Sequence, residues 1–227
     1  MIDIHAHILP QMDDGSISAE MTAQMLRLSR QQGVTLLIAT PHFYAYKDSP
    51  EQFLARRQAA FEKIEYDENT MPRLLLGAEV AYFDGMNRCE ELRQLQLGDS
   101  GLLLVEMPFS AWTGRMVEEI LSLRRMLDLQ PVLAHVERYG RQFAKYQKPL
   151  LEGGVLLQCN ADAFLGGLSA SRYLRMLKNS EVHFLGSDCH NMNTRAPKLD
   201  QSANVIAKRL GGDTLEDLDR FAKSILI

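Results

Sequence analysis

Cysteine is scarce in this 227-residue chain: Cys89, Cys159 and Cys189 form an odd set with no C-x-x-C pair. That speaks against a disulfide framework and fits a reducing compartment. Long apolar runs are missing as well. Stretches such as Gly101–Val105 and Val155–Leu157 are far too short to cross a bilayer, so no membrane insertion is expected. No basic-then-apolar leader is visible before the first apolar run, so no cleavable signal is expected and the expected location is cytoplasmic. Nor is there an excess of positive charge. The 25 basic and 29 acidic residues leave a net charge of −4, no electrostatic footprint for nucleic acid. Repeats and linkers rich in Pro, Gly or Ser are absent too, so residues 1–227 are expected to form one domain.

What is present is a 46% hydrophobic chain in which short apolar runs alternate with amphipathic stretches. Strands are predicted at 2–7, 34–39, 73–79, 101–106, 131–135, 155–159 and 182–187. Most are near-continuous apolar runs, as strands covered on both faces of a parallel sheet require. Helices are predicted at 18–32, at 49–64 (where Ser49-Pro50-Glu51 reads as a helix start), and at 115–127, 169–179, 197–210 and 214–226. A short helix fits 144–153, ended by Gly153-Gly154, whereas 80–98 has no clear period. Seven strands alternating with helices predict an α/β fold of βα repeats, either an open doubly wound sheet or a closed barrel.

Chemistry-bearing residues gather at the ends of those strands. In "MIDIHAHILPQMDDG" strict alternation puts Ile2, Ile4, Ala6 and Ile8 on one face and Asp3, His5 and His7 on the other. Two imidazoles about 7 Å apart along one face can share a metal ion. Asp13 and Asp14 follow in the next loop. Strand two ends at His42, strand three at Glu79, strand four at Glu106 and strand five at His135. Strand seven runs into "GSDCH", with Asp188 and His190. Five of the six histidines thus fall at the strand ends where barrels and open α/β sheets carry their sites. Crowded together with carboxylates and no cation, they would carry heavy desolvation and repulsion costs, so a multi-metal centre is expected. His183, mid-strand, is expected to be a packed or hydrogen-bonded residue instead. A donor set of nitrogen and oxygen suits Mn, Fe, Zn or Co better than a soft thiophilic site. Close metal ions form a clamp suited to phosphoryl transfer, and Arg138 and Arg195 follow the site histidines closely enough to bind a phosphoryl group.

The motifs "DIHAHILPQMDDG", "ATPH", "GAEV", "LVEMPF", "PVLAHVERY" and "GSDCHNMNTR" resemble those of the bacterial tyrosine phosphatases of capsule and exopolysaccharide operons. These belong to the PHP superfamily, named for polymerase and histidinol phosphatase domains. The resemblance runs from Met1 to about Arg195. It implies a distorted (β/α)7 TIM-like barrel, the PHP fold, with a Mn²⁺ centre of two or three ions in which Fe, Zn, Co or Mg are alternatives. By motif position His5, His7, Glu79 and Asp188 would hold one ion, and Glu79, Glu106 and His135 a second. Asp14, His42 and His190 would hold a third, and Arg138 and Arg195 match the phosphate-binding arginines. The implied partner is a phosphotyrosine protein, the C-terminal tail of a bacterial tyrosine kinase, and the implied step is in-line attack on phosphorus by a metal-bridging hydroxide. Phe43, Tyr44, Tyr46, Phe109, Trp112 and Tyr139 are candidates to flank the phenyl ring.

Four other readings compete. Cys189 and Arg195 formally satisfy C-x5-R, the pattern of cysteine-dependent phosphatases. No glycine lies inside that loop, however, and Asp188 would raise the thiol pKa. The metal clamp would serve a small ester such as histidinol phosphate equally well. A non-catalytic metal-binding domain is the third reading. An amidohydrolase is the fourth, against which strand four ends in Glu106 where many such enzymes carry a modified lysine.

Overall fold

The structure, a computed structural model, describes residues 1–167 and 169–227. Its strands are β1 (Ile2–Ala6), β2 (Leu36–Ala39), β3 (His42–Phe43), β4 (Arg73–Leu76), β5 (Glu79–Ala81), β6 (Leu102–Glu106), β7 (Gln130–Leu133), β8 (Leu156–Asn160) and β9 (Phe184–Gly186). All pairings are parallel, in the orders β1-β2-β4 and β3-β5-β6-β7-β8-β9. The two sheets are one curled surface. Gly77 N donates to Ala39 O at 2.8 Å and Glu79 N to Pro41 O at 3.1 Å, across the breaks that separate β2 from β3 and β4 from β5. The ring closes where Ala6 bridges Cys189, with Asp188 N donating to His5 O at 2.8 Å and His7 N to Cys189 O at 2.9 Å. Counting each broken pair as one stave gives seven staves, the expected distorted (β/α)7 barrel.

Helices α1 (Ala19–Gln31), α2 (Pro50–Phe61), α3 (Gly114–Leu127), α4 (Arg141–Glu152), α5 (Ala170–Lys178), α6 (Leu199–Leu210) and α7 (Asp213–Leu226) alternate with the staves. Their starts have local causes. Ser18 Oγ accepts from Met21 N, and Ser49 and Gln52 cap α2 reciprocally with Pro50 in its first turn. The ambiguous stretch 80–98 holds the end of β5 and two short 3₁₀ helices, Met86–Arg88 and Glu90–Leu95, whose three-residue turns leave no α period to read. The helix predicted at 144–153 begins three residues earlier, directly after Gly140 at φ 52°.

Apolar packing forms two layers. Leu37, Ala39, Leu103, Val105, Leu133 and Leu157 face the helices. Ile2, Ile4, Leu36, Ile38, Leu102, Leu104, Val132 and Phe184 fill the lower barrel, which α7 closes with Ala222 and Leu226. Inner positions turn polar above that plug: Thr40 and His42, Glu79, Glu106, Gln158 and Asn160 continue the inward alternation of their staves. Strand β1 does not keep the strict alternation its sequence predicts. Its register slips between Asp3 and Ala6, so Ile2 and Ile4 pack in the inner cluster while Ala6 and Ile8 pack in the outer one. This bulge turns His5 and His7 into the mouth.

Candidate metal centre

Each predicted donor reaches the mouth from the C-terminal end of a stave or the loop beyond it. Glu79 sits at their centre with its side chain 1% exposed. Its Oε2 lies 3.3 Å from His5 Nε2, 3.2 Å from His7 Nε2 and 2.9 Å from His42 Nδ1, and its Oε1 lies 2.8 Å from His135 Nε2. Glu106 adds an oxygen 3.4 Å from His135 Nε2, and Asp188 Oδ1 stands 3.7 Å from His5 Nε2 and 3.5 Å from His7 Nε2. Asp14, on an exposed loop, approaches His42 Nε2 at 3.7 Å and His190 Nε2 at 3.4 Å. All nine predicted donors therefore share one mouth. They overlap more than three separate sets would: His7 also groups with Asp14, His42 and His190, and His42 with Glu79 and Glu106. Asp188 stands apart because three groups already occupy it. Arg195 Nη2 donates to its Oδ1 at 2.6 Å, while Asn160 Nδ2, at 2.7 Å, and Arg138 share its Oδ2.

These donors fit divalent cations. The far ring nitrogens of three histidines are tied back: His7 Nδ1 to Asp13 Oδ2 at 2.7 Å, His5 Nδ1 to Gln158 Oε1 at 3.1 Å and His190 Nδ1 to Asp188 O at 3.0 Å. Their Nε2 atoms are thereby aimed inward, as outer partners orient metal-binding imidazoles. The Nε2 atoms of His5 and His7 stand 3.1 Å apart, too close for two donors of one protonation state to be content. Glu79 Oε2, His42 Nδ1 and His190 Nε2 are buried without a well-aligned hydrogen bond. Lone pairs converging on shared points and left unpaired are what a cation would satisfy.

Electrostatics carry the same signature. Burial alone would drive His7 down, but Asp13 and Glu79 outweigh it and hold the ring up at about 10. His135 is likewise pushed down by burial and pulled up by Glu106 and Glu79, to about 9. Burial opposes ionisation of Glu79, yet the surrounding histidines keep its carboxyl well below the usual range. His190 moves the other way, to about 4, through burial and the charges of His7 and Arg195. At His7 and His135 the carboxylates of the mouth thus favour positive charge, as a cation site requires.

Backbone strain marks two donors. His135 has φ 31° and Asp188 φ 50°, in the left-handed region that side chains seldom adopt. At His135 this conformation turns the ring inward from a position where alternation beyond Val132 and Ala134 would point it out. Glycine is needed beside Asp188 as well. A Cβ on Gly186 would stand 2.6 Å from His5 Cβ and 2.7 Å from Gln158 Nε2.

Gln158 and Asn160 escape a sequence reading. Gln158 holds His5 and accepts from His135 N at 2.7 Å, and its own Nε2 donates to Asn160 Oδ1 at 2.8 Å. A lone polar residue inside "VLLQCN" is the only signal it leaves. Asp13 supports His7, and Asn191 Oδ1 accepts from Arg195 N at 3.1 Å, shaping the loop that carries the arginine. Of the six candidate aromatics, Phe43, Trp112 and Tyr139 are buried. Phe43 packs edge-on against Phe53, and the Tyr139 hydroxyl accepts from Met107 N. Phe109 and Tyr44 stay at the rim, stacked on His135 and His42 respectively. Cys189 is wholly buried, with its thiol held far up by burial and by Asp3, which removes the basis for a cysteine nucleophile. His183 is packed as expected, accepting from Leu157 N at 3.1 Å.

A closed parallel barrel whose mouth gathers nitrogen and oxygen donors for divalent metal defines a class of barrel metalloproteins. Within it, the family model for capsular polysaccharide synthesis, CpsB/CapC, matches residues 1–226, and the chain belongs to that family. It is 31% identical to the tyrosine-protein phosphatase CpsB of Streptococcus pneumoniae, over 96% of this chain and 94% of the relative. It is 32% identical to the tyrosine-protein phosphatase YwqE of Bacillus subtilis, over 94% and 86%. A crystal structure from work on those two proteins, described as unique metal-dependent tyrosine phosphatases, superposes with a TM-score of 0.84. That match is at 28% identity over 100% of this chain and 94% of the other.

Proposed function

We propose that this chain is a metal-dependent protein-tyrosine phosphatase acting in capsule synthesis, with residues 1–227 working as one domain. The observation that carries the reading is Glu79, a single buried carboxylate contacted by four histidines from three staves. The donors would be His5, His7, Asp14, His42, Glu79, Glu106, His135, Asp188 and His190. Divalent cations held by these donors, two or three in number, would supply positive charge at the phosphoryl group and would lower the pKa of water beside it. Mn²⁺ is the proposed ion, supported by an all nitrogen-and-oxygen donor set with no thiolate.

The chain's own part is to bind and orient. Arg138 and Arg195 converge on Asp188 from two loops, so their guanidinium groups already face the mouth. Each would grip non-bridging phosphoryl oxygens with paired N–H groups, fixing phosphorus for in-line attack. Asp13 and Gln158 keep His7 and His5 in one orientation throughout. The proposed substrate is the phosphotyrosine tail of a bacterial tyrosine kinase of the same capsule system, supported by the family and by its relatives' names. Cytoplasmic action without nucleic acid fits that substrate. Among the described residues no helix is long and apolar enough to cross a membrane.

The test is phosphate release from a phosphotyrosine peptide by chelator-stripped protein, before and after Mn²⁺ is added. Activity should vanish on stripping and return with metal; Fe, Zn, Co and Mg are then compared. Robust release from stripped protein would overturn the metal reading.

A further inference from the structure

Beside the metal donors lies a cavity of about 270 Å³ that shares Asp14 and His42 with them and is otherwise lined by Met12, Asp13, Tyr44, Lys47, Asp48 and Arg56. Its charges are nearly all committed. Asp13 is bonded to His7, and Asp14 faces His42 and His190. Arg56 pairs with Asp48 and donates to Met12 O at 2.9 Å. Lys47 is different. Among the described residues no carboxylate pairs with it, and its ammonium stands over the Tyr44 ring at 4.4 Å and the Tyr46 ring at 5.7 Å.

That position is built rather than incidental. Lys47 N and Asp48 N both donate to Tyr44 O, at 2.9 and 3.2 Å, so one tight turn carries both rings and the cation. Tyr44 is anchored in turn by stacking on the donor His42, their centroids 5.2 Å apart at 27°. Tyr46, 80% exposed, extends the same surface outward at 5.5 Å from Tyr44. A chain whose phosphorylated side chain enters the mouth would lay its neighbouring residues across this turn. Two neighbouring aromatic rings on one side of the ammonium restrict it and leave its other side open, which lowers the entropy lost when it pairs with an anion.

We propose that the Tyr44–Tyr46–Lys47 turn is a peptide-binding subsite in which Lys47 pairs with an acidic side chain next to the phosphotyrosine. This rests on the phosphatase reading and adds to it a preference for acidic flanking sequence. The subsite acts through one ion pair at a partly wet rim, so its effect is modest, at most about five-fold in kcat/KM.

The experiment uses the metal-loaded full chain and phosphotyrosine peptides that differ only in Glu, Gln or Lys beside the phosphorylated residue, placed on either side. The readout is the ratio of kcat/KM between peptides for the same enzyme, so a general loss of activity cancels. The wild type should favour Glu over Gln on at least one side. Lys47→Ala should erase that preference, and Lys47→Glu should turn it towards Lys. A wild type indifferent to the flanking charge would overturn the subsite, as would an acidic preference that survives both substitutions. If the wild type releases phosphate from none of the peptides, the phosphatase reading fails and takes the subsite with it. Release from all of them at equal rates removes only the subsite.

Discussion

At the base of the barrel, His183 accepts a backbone hydrogen bond and packs 5.8 Å from Phe221, beside a cavity of about 420 Å³. At the mouth, a smaller cavity adjoins five histidines that crowd around shared carboxylates. Burial alone acts on His183 and pushes its pKa down, whereas carboxylates overcome burial at His7 and His135 and push theirs up. The same residue type in the same fold is thus structural at one end and metal-type at the other. Neither cavity size nor burial distinguishes them. What does is whether a buried ring meets a hydrogen bond of its own or an anion shared with other rings.

The comparison breaks hardest at Glu79. Glu79→Gln removes the charge that four histidines share, and kcat/KM on a phosphotyrosine peptide should fall about 10³-fold or more. Metal analysis after gel filtration should show the bound ion lost in parallel. Retained metal together with retained activity would remove Glu79 from the centre. A smaller effect is expected at the arginines. Arg138→Lys or Arg195→Lys keeps the charge but loses the paired N–H fork, and should cost about 100-fold, largely in kcat. An unchanged rate in both variants would mean that they serve only Asp188.

The two ends should also separate by pH. His7 and His135 titrate in the folded protein at about 10 and about 9, above their ordinary 6.5. Their stabilisation is therefore complete below about pH 6.5 and is lost as pH rises through 9 and then 10. Metal-free protein should accordingly lose melting temperature between pH 7 and 10, and added Mn²⁺ should flatten the curve. His183 has the opposite sign: its lowered pKa stabilises at neutral and high pH, and that share disappears on acidification. A melting temperature of the metal-free form that does not change across the alkaline range would contradict the proton-filled mouth. The smallest effect is at the base. His183→Leu forfeits the partner of Leu157 N, about 1 kcal/mol or roughly 2–4 °C, and should leave peptide turnover within about two-fold.

Much of this contrast is legible in the sequence, for identifiable reasons. Seven apolar runs announce the staves because both faces of each are covered, and a histidine or acid closing such a run is conspicuous. His42, Glu79, Glu106 and His135 are visible for that reason. The exclusion of His183 is visible too, since it interrupts its run rather than ending it. The bulge in β1 is not legible, because it depends on how Ala6 pairs with Ala39 after Ile2 pairs with Leu36. Strict alternation predicts a common face for Ile2, Ile4, Ala6 and Ile8 that the barrel does not keep. The breaks at Thr40-Pro41 and Gly77-Ala78 are similarly hidden, as "LLIATPH" and "LLLGAE" read straight through. Gln158 and Asn160 are missed because an amide carries no charge pattern, although Gln158 alone links His5 to the backbone of His135.

The shared carboxylate has one more consequence, which concerns tolerance to mutation. Glu79 serves rings from three staves, so a substitution there reaches all of them at once. Asp14, on an exposed loop, faces two rings only at longer range. Replacement should therefore be borne unequally across the mouth, most readily at Asp14 and least at Glu79.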